Sequence, residues 1–344
     1  MTAGSPLEVA PGSAGWPRRL VCVCANPSID RIAAVDRLVP GEVHRPEPLS
    51  VVPGGKALNV ARAAARLGMP VRAIAVLGGH AGAWMDADLH TRGIATRIVR
   101  VAGETRTCLS VLDHATGLLT EFYEPGLAVD EASWGELEAA LRWELAEDPL
   151  GALVVLAGSL PPGSPEDGYR RLAESVSEAG GRAVVDTDRR ALVEALGARP
   201  WLVKVNAREA VSAAFAAEAE PGEGLAPAVE IDEARVVEAA RRIRRQTSGL
   251  VMVTRGPDGA ILVDEVGSTW RIGGPPERGQ YPVGSGDTLL AGFAVALWSG
   301  RSAVEAARHG GALGAANALI PGQGEFDDRD ADRILPAIRV DRIS

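Results

Sequence analysis

The chain has 344 residues, 46% of them apolar, and a mean hydropathy of +0.05, which is enough to bury the core of one large α/β domain. A net charge of −9 and a pI near 5.2 exclude the basic face that a nucleic acid or an anionic membrane demands, so small ligands are expected. No stretch is long and apolar enough to span a bilayer, and residues 1–18, rich in Gly, Pro, Ala and Ser, read as a disordered tail rather than a signal peptide.

Leu20–Cys24 (LVCVC) is an apolar strand that turns Cys22 and Cys24 onto one face. With Cys108 they form an odd set lacking metal-ligand spacing, and core thiols in a reducing cytoplasm are expected. Asn26-Pro27-Ser28-Ile29-Asp30 closes the strand with turn chemistry, leaving Asp30 at its end. A polar, proline-containing stretch runs to Pro53, and Gly54-Gly55-Lys56-Ala57-Leu58-Asn59-Val60-Ala61 opens a helix reaching about Leu67. A strand over 71–77 and a helix over 81–92 follow. Strands over 97–101, 107–112 and 118–123, the last two joined at Ala115-Thr116-Gly117, are expected to form a sheet apart from the main core.

From Val129 the pattern becomes regular, with helices over 130–146, 164–179 and 189–196 alternating with strands over 152–156, 183–186 and 201–205. Such alternation predicts a mainly parallel sheet with ligands at the C-terminal ends of its strands. Residues 218–231 read as a solvated surface loop. A helix over 232–246, a strand over 250–254, a hairpin over 260–272 and helices over 287–299, 302–318 and 327–338 complete the chain.

The strand-end loops form one rim. Gly284-Ser285-Gly286-Asp287 brackets a carboxylate with glycines whose backbone N–H groups can approach an anion, at the positive end of a following helix. Asp287 is then either a general base or a mere N-cap. Asn206 and Glu209 have the spacing of a capping box and also the acceptors that suit hydrated Mg²⁺. Gly158–Gly163 and Arg255–Gly259 add glycine turns. Of 36 basic residues only Lys56 and Lys204 are lysines, and both fall inside these motifs. Backbone donors, metal acceptors, lysines and a carboxylate are the parts of phosphoryl transfer.

Gly54 to Gly68 resembles the first signature of the ribokinase-like (PfkB-type) carbohydrate kinases, and Val283 to Gly292 resembles the second. Asn206-Ala207-Arg208-Glu209 is similar to the family's N-x-x-E element, and Gly158-Ser159-Leu160-Pro161-Pro162-Gly163 to its G-S-L-P-x-G loop. The likeness runs in order from about 20 to 338, and Asn26–Asp30, Gly41–Arg45 and Thr105–Thr107 lean toward the phosphosugar branch that contains 1-phosphofructokinase, tagatose-6-phosphate kinase and the minor 6-phosphofructokinase. The resemblance implies a three-layer α/β/α domain over 19–344, with a mainly parallel central sheet plus a small β-sheet lid inserted at about 31–53 and 95–125.

It also implies roles. Asp287 would be the base, with Gly284, Ser285 and Gly286 forming an anion hole. Asp30, Gly54, Gly55, Lys56 and Asn59 would hold the sugar, and Arg106, with Arg45, its phosphate. Lys204, Asn206, Thr254, Gly256, Gly259 and Asn317 would hold ATP, and Asn206 and Glu209 would position Mg²⁺ largely through water. The expected substrate is a ketohexose monophosphate: fructose 1-phosphate first, then tagatose 6-phosphate or fructose 6-phosphate. The alternatives are a kinase of an unphosphorylated sugar or nucleoside, or a catalytically silent sugar-phosphate sensor. A homodimer through the lid sheet is expected. Val205, Arg255, Gln280-Tyr281-Pro282 and Ala57 depart from the family pattern without removing a catalytic group.

Overall fold

The computed structural model describes residues 18–147, 152–218 and 231–343. The expected disordered tail, apart from Arg18, and nearly all of the expected loop over 218–231 lie outside the described residues.

The chain opens with β1 (Leu20–Cys24) and then leaves the core through β2 (Ser28–Val35) and β3 (Glu47–Gly54). It returns with α1 (Lys56–Arg66), β4 (Val71–Leu77), α2 (Gly79–Thr91) and β5 (Ala95–Arg100), and leaves again through β6 (Thr107–Asp113) and β7 (Leu118–Tyr123). Helix and strand then alternate: α3 (Glu131–Ala146), β8 (Leu153–Ala157), α4 (Gly168–Glu178), β9 (Arg182–Asp186), α5 (Arg189–Leu196), β10 (Leu202–Asn206), α6 (Ala207–Ala214), α7 (Glu233–Arg244) and β11 (Leu250–Thr254). β12 (Ala260–Val263), β13 (Thr269–Ile272), α8 (Ser285–Trp298), α9 (Ala303–Asn317), α10 (Asp328–Ile334) and β14 (Val340–Arg342) finish the fold.

Among the described residues the large sheet has the order β14-β13-β12-β11-β10-β9-β8-β1-β4-β5. It is parallel from β11 to β5 and antiparallel at the β12–β14 end. Runs such as LVVLA in β8 are buried throughout because helices cover both faces of the sheet. One face packs on α1, α2, α8, α9 and α10, and the other on α3 to α7. These three layers are those of the ribokinase-like α/β fold. The second sheet, β3-β2-β6-β7, pairs β2 with β6 in parallel and is otherwise antiparallel.

Several expectations shift. Strand one ends at Cys24, and Asp30 lies on β2, in the second sheet, because the turn at Asn26-Pro27 is followed by a new strand. β5 pairs with β4 in the large sheet, so the second sheet takes its strands from 28–35, 47–54, 107–113 and 118–123. α4 starts at Gly168, after turns closed by Ser164 N–H to Pro161 and Gly168 N–H to Pro165. The capping-box segment carries a helix of its own, α6, and α10 stops short of Pro336, followed by β14. Cys22, Cys24 and Cys108 are buried free thiols, and no helix among the described residues is long and apolar enough to cross a membrane.

α8 is buried from Asp287 to Trp298, and α9 crosses it on a glycine face. A Cβ at Gly310 would stand 2.5 Å from the Leu289 carbonyl oxygen, and one at Gly314 would stand 2.7 Å from that of Ser285. The backbones therefore touch, which fixes the first turn of α8. Gly311 differs, since a Cβ there meets only Ile338 and Ile272 side chains at 3.6–3.9 Å. Gly310→Ala is expected to destabilise the protein by about 1–3 kcal/mol in denaturant unfolding, through overpacking. Gly311→Ala is expected to stabilise it by up to about 1 kcal/mol, through helix propensity.

Candidate active site

Gly284 takes a left-handed φ of 84° at the N-cap of α8, which makes no side-chain cap. A Cβ on Gly284 would stand 2.7 Å from Gln323 Cα. Asp287 sits two residues into the helix, so it is not the cap, and it is only 6% exposed. Its Oδ2 accepts a hydrogen bond from Asn59 Nδ2 at 2.8 Å. The Ser285 N–H donates to the Pro282 carbonyl at 3.2 Å. The N–H of Gly286 lies in the first helical turn, which has no intrahelical acceptor.

Beneath this turn lies a carboxylate that sequence reasoning missed. Asp186 ends β9 with no exposure, and it accepts from Lys56 Nζ at 2.8 Å and from Lys204 Nζ at 2.5 Å. Both lysines of the chain thus meet on one buried carboxylate. The available signal was a charged residue closing an apolar strand in a chain whose two lysines needed a partner. Burial alone would raise Asp186, but the two ammoniums hold it below the usual carboxylate range. Lys56 also reaches Glu209 Oε1 at 3.3 Å, and Lys204 lies against the glycine turn, 2.8 Å from where a Cβ on Gly286 would be. Burial lowers the Lys56 ammonium's affinity for its proton, but Asp186, Glu209 and Asp287 outweigh burial and raise it. Asp287 has no such lysine contact. Burial pushes it up to about 6, opposed by Lys204 and reinforced by Asp186.

A cavity of about 990 Å³ runs over these groups. Toward the second sheet it is lined by Asp30, Gly55, Lys56, Asn59 and Arg106. Asp30 accepts from Ser28 Oγ at 2.6 Å, and burial raises its pKa. Gly54 lies behind it: a Cβ there would stand 2.0 Å from Asp30 Cγ, so only glycine lets that carboxylate sit flat on β3. Arg106 donates to the carbonyls of Asn26 (3.1 Å), Pro27 (3.3 Å) and Glu124 (3.2 Å). Toward β11 and α8 the lining includes Lys204, Asn206, Thr254, Gly256 and Gly259, with Gly284, Ser285 and Gly286.

Three expected residues do not line the cavity: Gly54, which lies behind Asp30, Arg45 and Asn317. Arg45 is exposed and outside the lining. Asn317 is fully buried, and its amide donates to the carbonyls of Gly322 and Glu325 at 2.6 Å each, which shapes the loop after α9. Asn206 and Glu209 do form the capping box, with Asn206 Oδ1 accepting from the Glu209 N–H at 2.9 Å and Glu209 Oε2 from the Asn206 N–H at 2.8 Å. A carboxylate retains acceptor capacity beyond two bonds, so Glu209 fits a hydrated Mg²⁺ better than a bare one. Asn26, Ser285 and Gln323 are among the lining residues, and their Oδ1, Oγ and Oε1 atoms are buried without a protein partner.

The family model described as "pfkB family carbohydrate kinase" matches residues 18–328. The chain belongs to that family, whose members transfer a phosphate to a hydroxyl group. It is 37% identical to a 1-phosphofructokinase of Xanthomonas campestris over 283 residues, covering 80% of this chain and 83% of the relative. It is 30% identical to the ATP-dependent 6-phosphofructokinase isozyme 2 of Mycobacterium tuberculosis over 328 residues, 95% of this chain and 92% of that one. Among solved structures, the tetrameric inhibited form of phosphofructokinase-2 from Escherichia coli superposes with a TM-score of 0.80 at 29% identity, covering 93% of this chain and 98% of the other.

Asp287 yields a two-sided prediction. Its folded-state pKa of about 6 lies above its ordinary value of 3.8, so the native state keeps this proton longer than the unfolded one. Stability is lost as pH rises between those values, and the full cost, about 3 kcal/mol, applies above pH ~6. Asp287→Asn is expected to abolish turnover and to raise stability at pH 7.5 by about 2–3 kcal/mol, with the gain vanishing near pH ~4. Denaturant unfolding at both pH values checks it.

Proposed function

We propose that this chain is an ATP- and Mg²⁺-dependent kinase of a ketohexose monophosphate, with fructose 1-phosphate phosphorylated at O6 as first choice and tagatose 6-phosphate or fructose 6-phosphate at O1 next. The observation that carries this reading is one cavity with Asp287, buried and lacking a lysine contact, in its wall and Arg106 at its second-sheet end. A guanidinium has five N–H donors, and three of Arg106's are spent on carbonyls, which leaves two for a phosphate. The 1-phosphofructokinase name of the 37% identical relative puts fructose 1-phosphate first.

Each step falls to a named group. With a pKa of about 6, Asp287 is ionised at neutral pH and takes the proton of the sugar hydroxyl as it attacks the γ-phosphate. Asp30 and Asn59 hold sugar hydroxyls, with Gly55 giving the backbone room. The first turn of α8, with the Gly286 N–H and the helix dipole, meets the developing negative charge beside the Lys204 ammonium. Asn206 and Glu209 would hold Mg²⁺ through water, where it neutralises phosphate charge. Thr254, Gly256 and Gly259 flank the nucleotide. The second sheet acts as the lid that keeps water from the γ-phosphate. Its outer strand exposes Leu118, Phe122 and Tyr123 at 67%, 53% and 60%, which supports self-association of two copies through this sheet.

ADP release with Mg-ATP against fructose 1-phosphate, fructose 6-phosphate, tagatose 6-phosphate, fructose, ribose and adenosine tests the proposal. The highest kcat/KM is expected with fructose 1-phosphate; turnover of unphosphorylated substrates alone would overturn the substrate class. Arg106→Ala is expected to raise KM for the phosphosugar about 10-fold or more, with kcat within about 3-fold, the loss of one charged hydrogen-bonding partner. An unchanged KM would remove the clamp.

A further inference from the structure

We infer that Arg62, which lies outside the cavity, is a positioning residue for the reaction: it orients the Asn59 amide so that its N–H donates to Asp287. The inference rests on the proposed role of Asp287 as base. Arg62 stands three residues after Asn59 on α1, so the two side chains share a helix face. Although charged, it is only 4% exposed. Its Nη2 donates to Asn59 Oδ1 at 2.9 Å and to the Gln323 carbonyl at 2.5 Å, and its Nη1 donates to Glu325 Oε1 at 3.0 Å.

An amide has one accepting end and one donating end, whereas a guanidinium only donates and an ionised carboxylate only accepts. Held between the two, Asn59 has one satisfactory orientation: oxygen toward Arg62 and nitrogen toward Asp287. The opposite orientation would set oxygen against carboxylate and N–H against N–H. Arg62 therefore selects the rotamer that lowers the cost of ionising Asp287, and the amide passes that preference into the cavity. The same guanidinium fixes the Gln323 carbonyl, whose backbone abuts Gly284 at the start of α8. Asn317, on the Gly322 and Glu325 carbonyls, also holds this loop, so the turn does not depend on Arg62 alone.

The charges around the pair are countable. Asp287 feels Lys204 from β10, Asp186 from β9 and Lys56 from α1. Arg62 feels Glu325 and Asp30 as opposite charges, with Arg92 and Asp88 beyond Glu325. Removing Arg62 leaves the lysine–Asp186 cluster intact, so its effect on Asp287 runs through Asn59.

The test is a double-variant cycle of Arg62→Met and Asn59→Ala, with kcat, KM and the acid limb of the pH profile measured on one sugar phosphate, whose own titration is common to all variants. Arg62→Met is expected to lower kcat about 10- to 100-fold, the worth of one hydrogen bond to a charged group, with KM for ATP within about 3-fold. Its acid limb should move to higher pH, because the carboxylate loses an ordered donor. In the Asn59→Ala background the same change should cost less than about 3-fold further, since the residue acts through the missing amide. Glu325→Gln, which removes the ion pair but keeps the Nη2 bond to Asn59, should leave kcat within about 3-fold. If Arg62→Met does not fold, Arg62→Lys, which keeps the charge but cannot fork, takes its place in the cycle. Equal losses in both backgrounds, or an unmoved acid limb, would overturn the inference. Carboxyl NMR titration of Asp287 in the unliganded variants separates the two claims: if no substrate turns over, the kinase reading fails and with it the role in the reaction, while an Asp287 pKa raised by loss of Arg62 upholds the orientation of Asn59 by Arg62 and an unmoved one overturns it.

Discussion

A single buried carboxylate, Asp186, carries both lysines of the chain, and the geometry of the site follows from that arrangement. Asp186 comes from the end of β9, Lys204 from β10 and Lys56 from the first residue of α1, so three separate elements are tied at one point. Two ammoniums, matched by Asp186 and by Glu209 on Lys56, place positive charge beneath the first turn of α8 without leaving a cation free to pair with Asp287. Asp287 then sits close enough to feel that charge but bonds only to an amide, so it is buried and incompletely compensated. A carboxylate in that condition holds its proton more readily than one in water and is still ionised at neutral pH. That balance suits a base that must receive a proton late in a loose transition state.

The remaining architecture protects this balance. The glycine face of α9 lets its backbone press on α8, which sets where the first turn of α8 ends. Asn317 shapes the Gly322–Glu325 loop, which packs against Gly284 and is held from the other side by Arg62. Asp30 reaches the cavity from the second sheet, so movement of that sheet would carry the proposed sugar-binding carboxylate with it. The cavity thus has a rigid wall built on the large sheet and a separate wall built on four strands.

Much of this was legible in the sequence. Gly54–Asn59 and Gly284–Asp287, more than 200 residues apart, were both read as ligand loops, and the Asn59–Asp287 hydrogen bond joins them. The alternation after Val129 gave the parallel sheet because buried parallel strands leave apolar runs that few other structures need. What was misread has physical reasons. The start of β2 is hidden by the Asn26-Pro27 turn, so Asp30 reads as the end of strand one, and β5 reads as a lid strand because at the sheet edge most of it stays part-exposed and polar residues interrupt it. Asn317 and Arg45 carried suitable chemistry, but only the packing showed one turned into a loop and the other out to solvent. Asp186 is marked only by its place at the close of an apolar strand, and nothing local marks Arg62, among 36 basic residues, as one that will be buried.

The most direct measurement of the central constraint is the denaturant stability of Asp186→Asn at neutral pH. If one carboxylate holds two buried or half-buried ammoniums, the isosteric amide should cost about 3–5 kcal/mol, because it leaves uncompensated charge behind. A variant as stable as the parent would contradict the account.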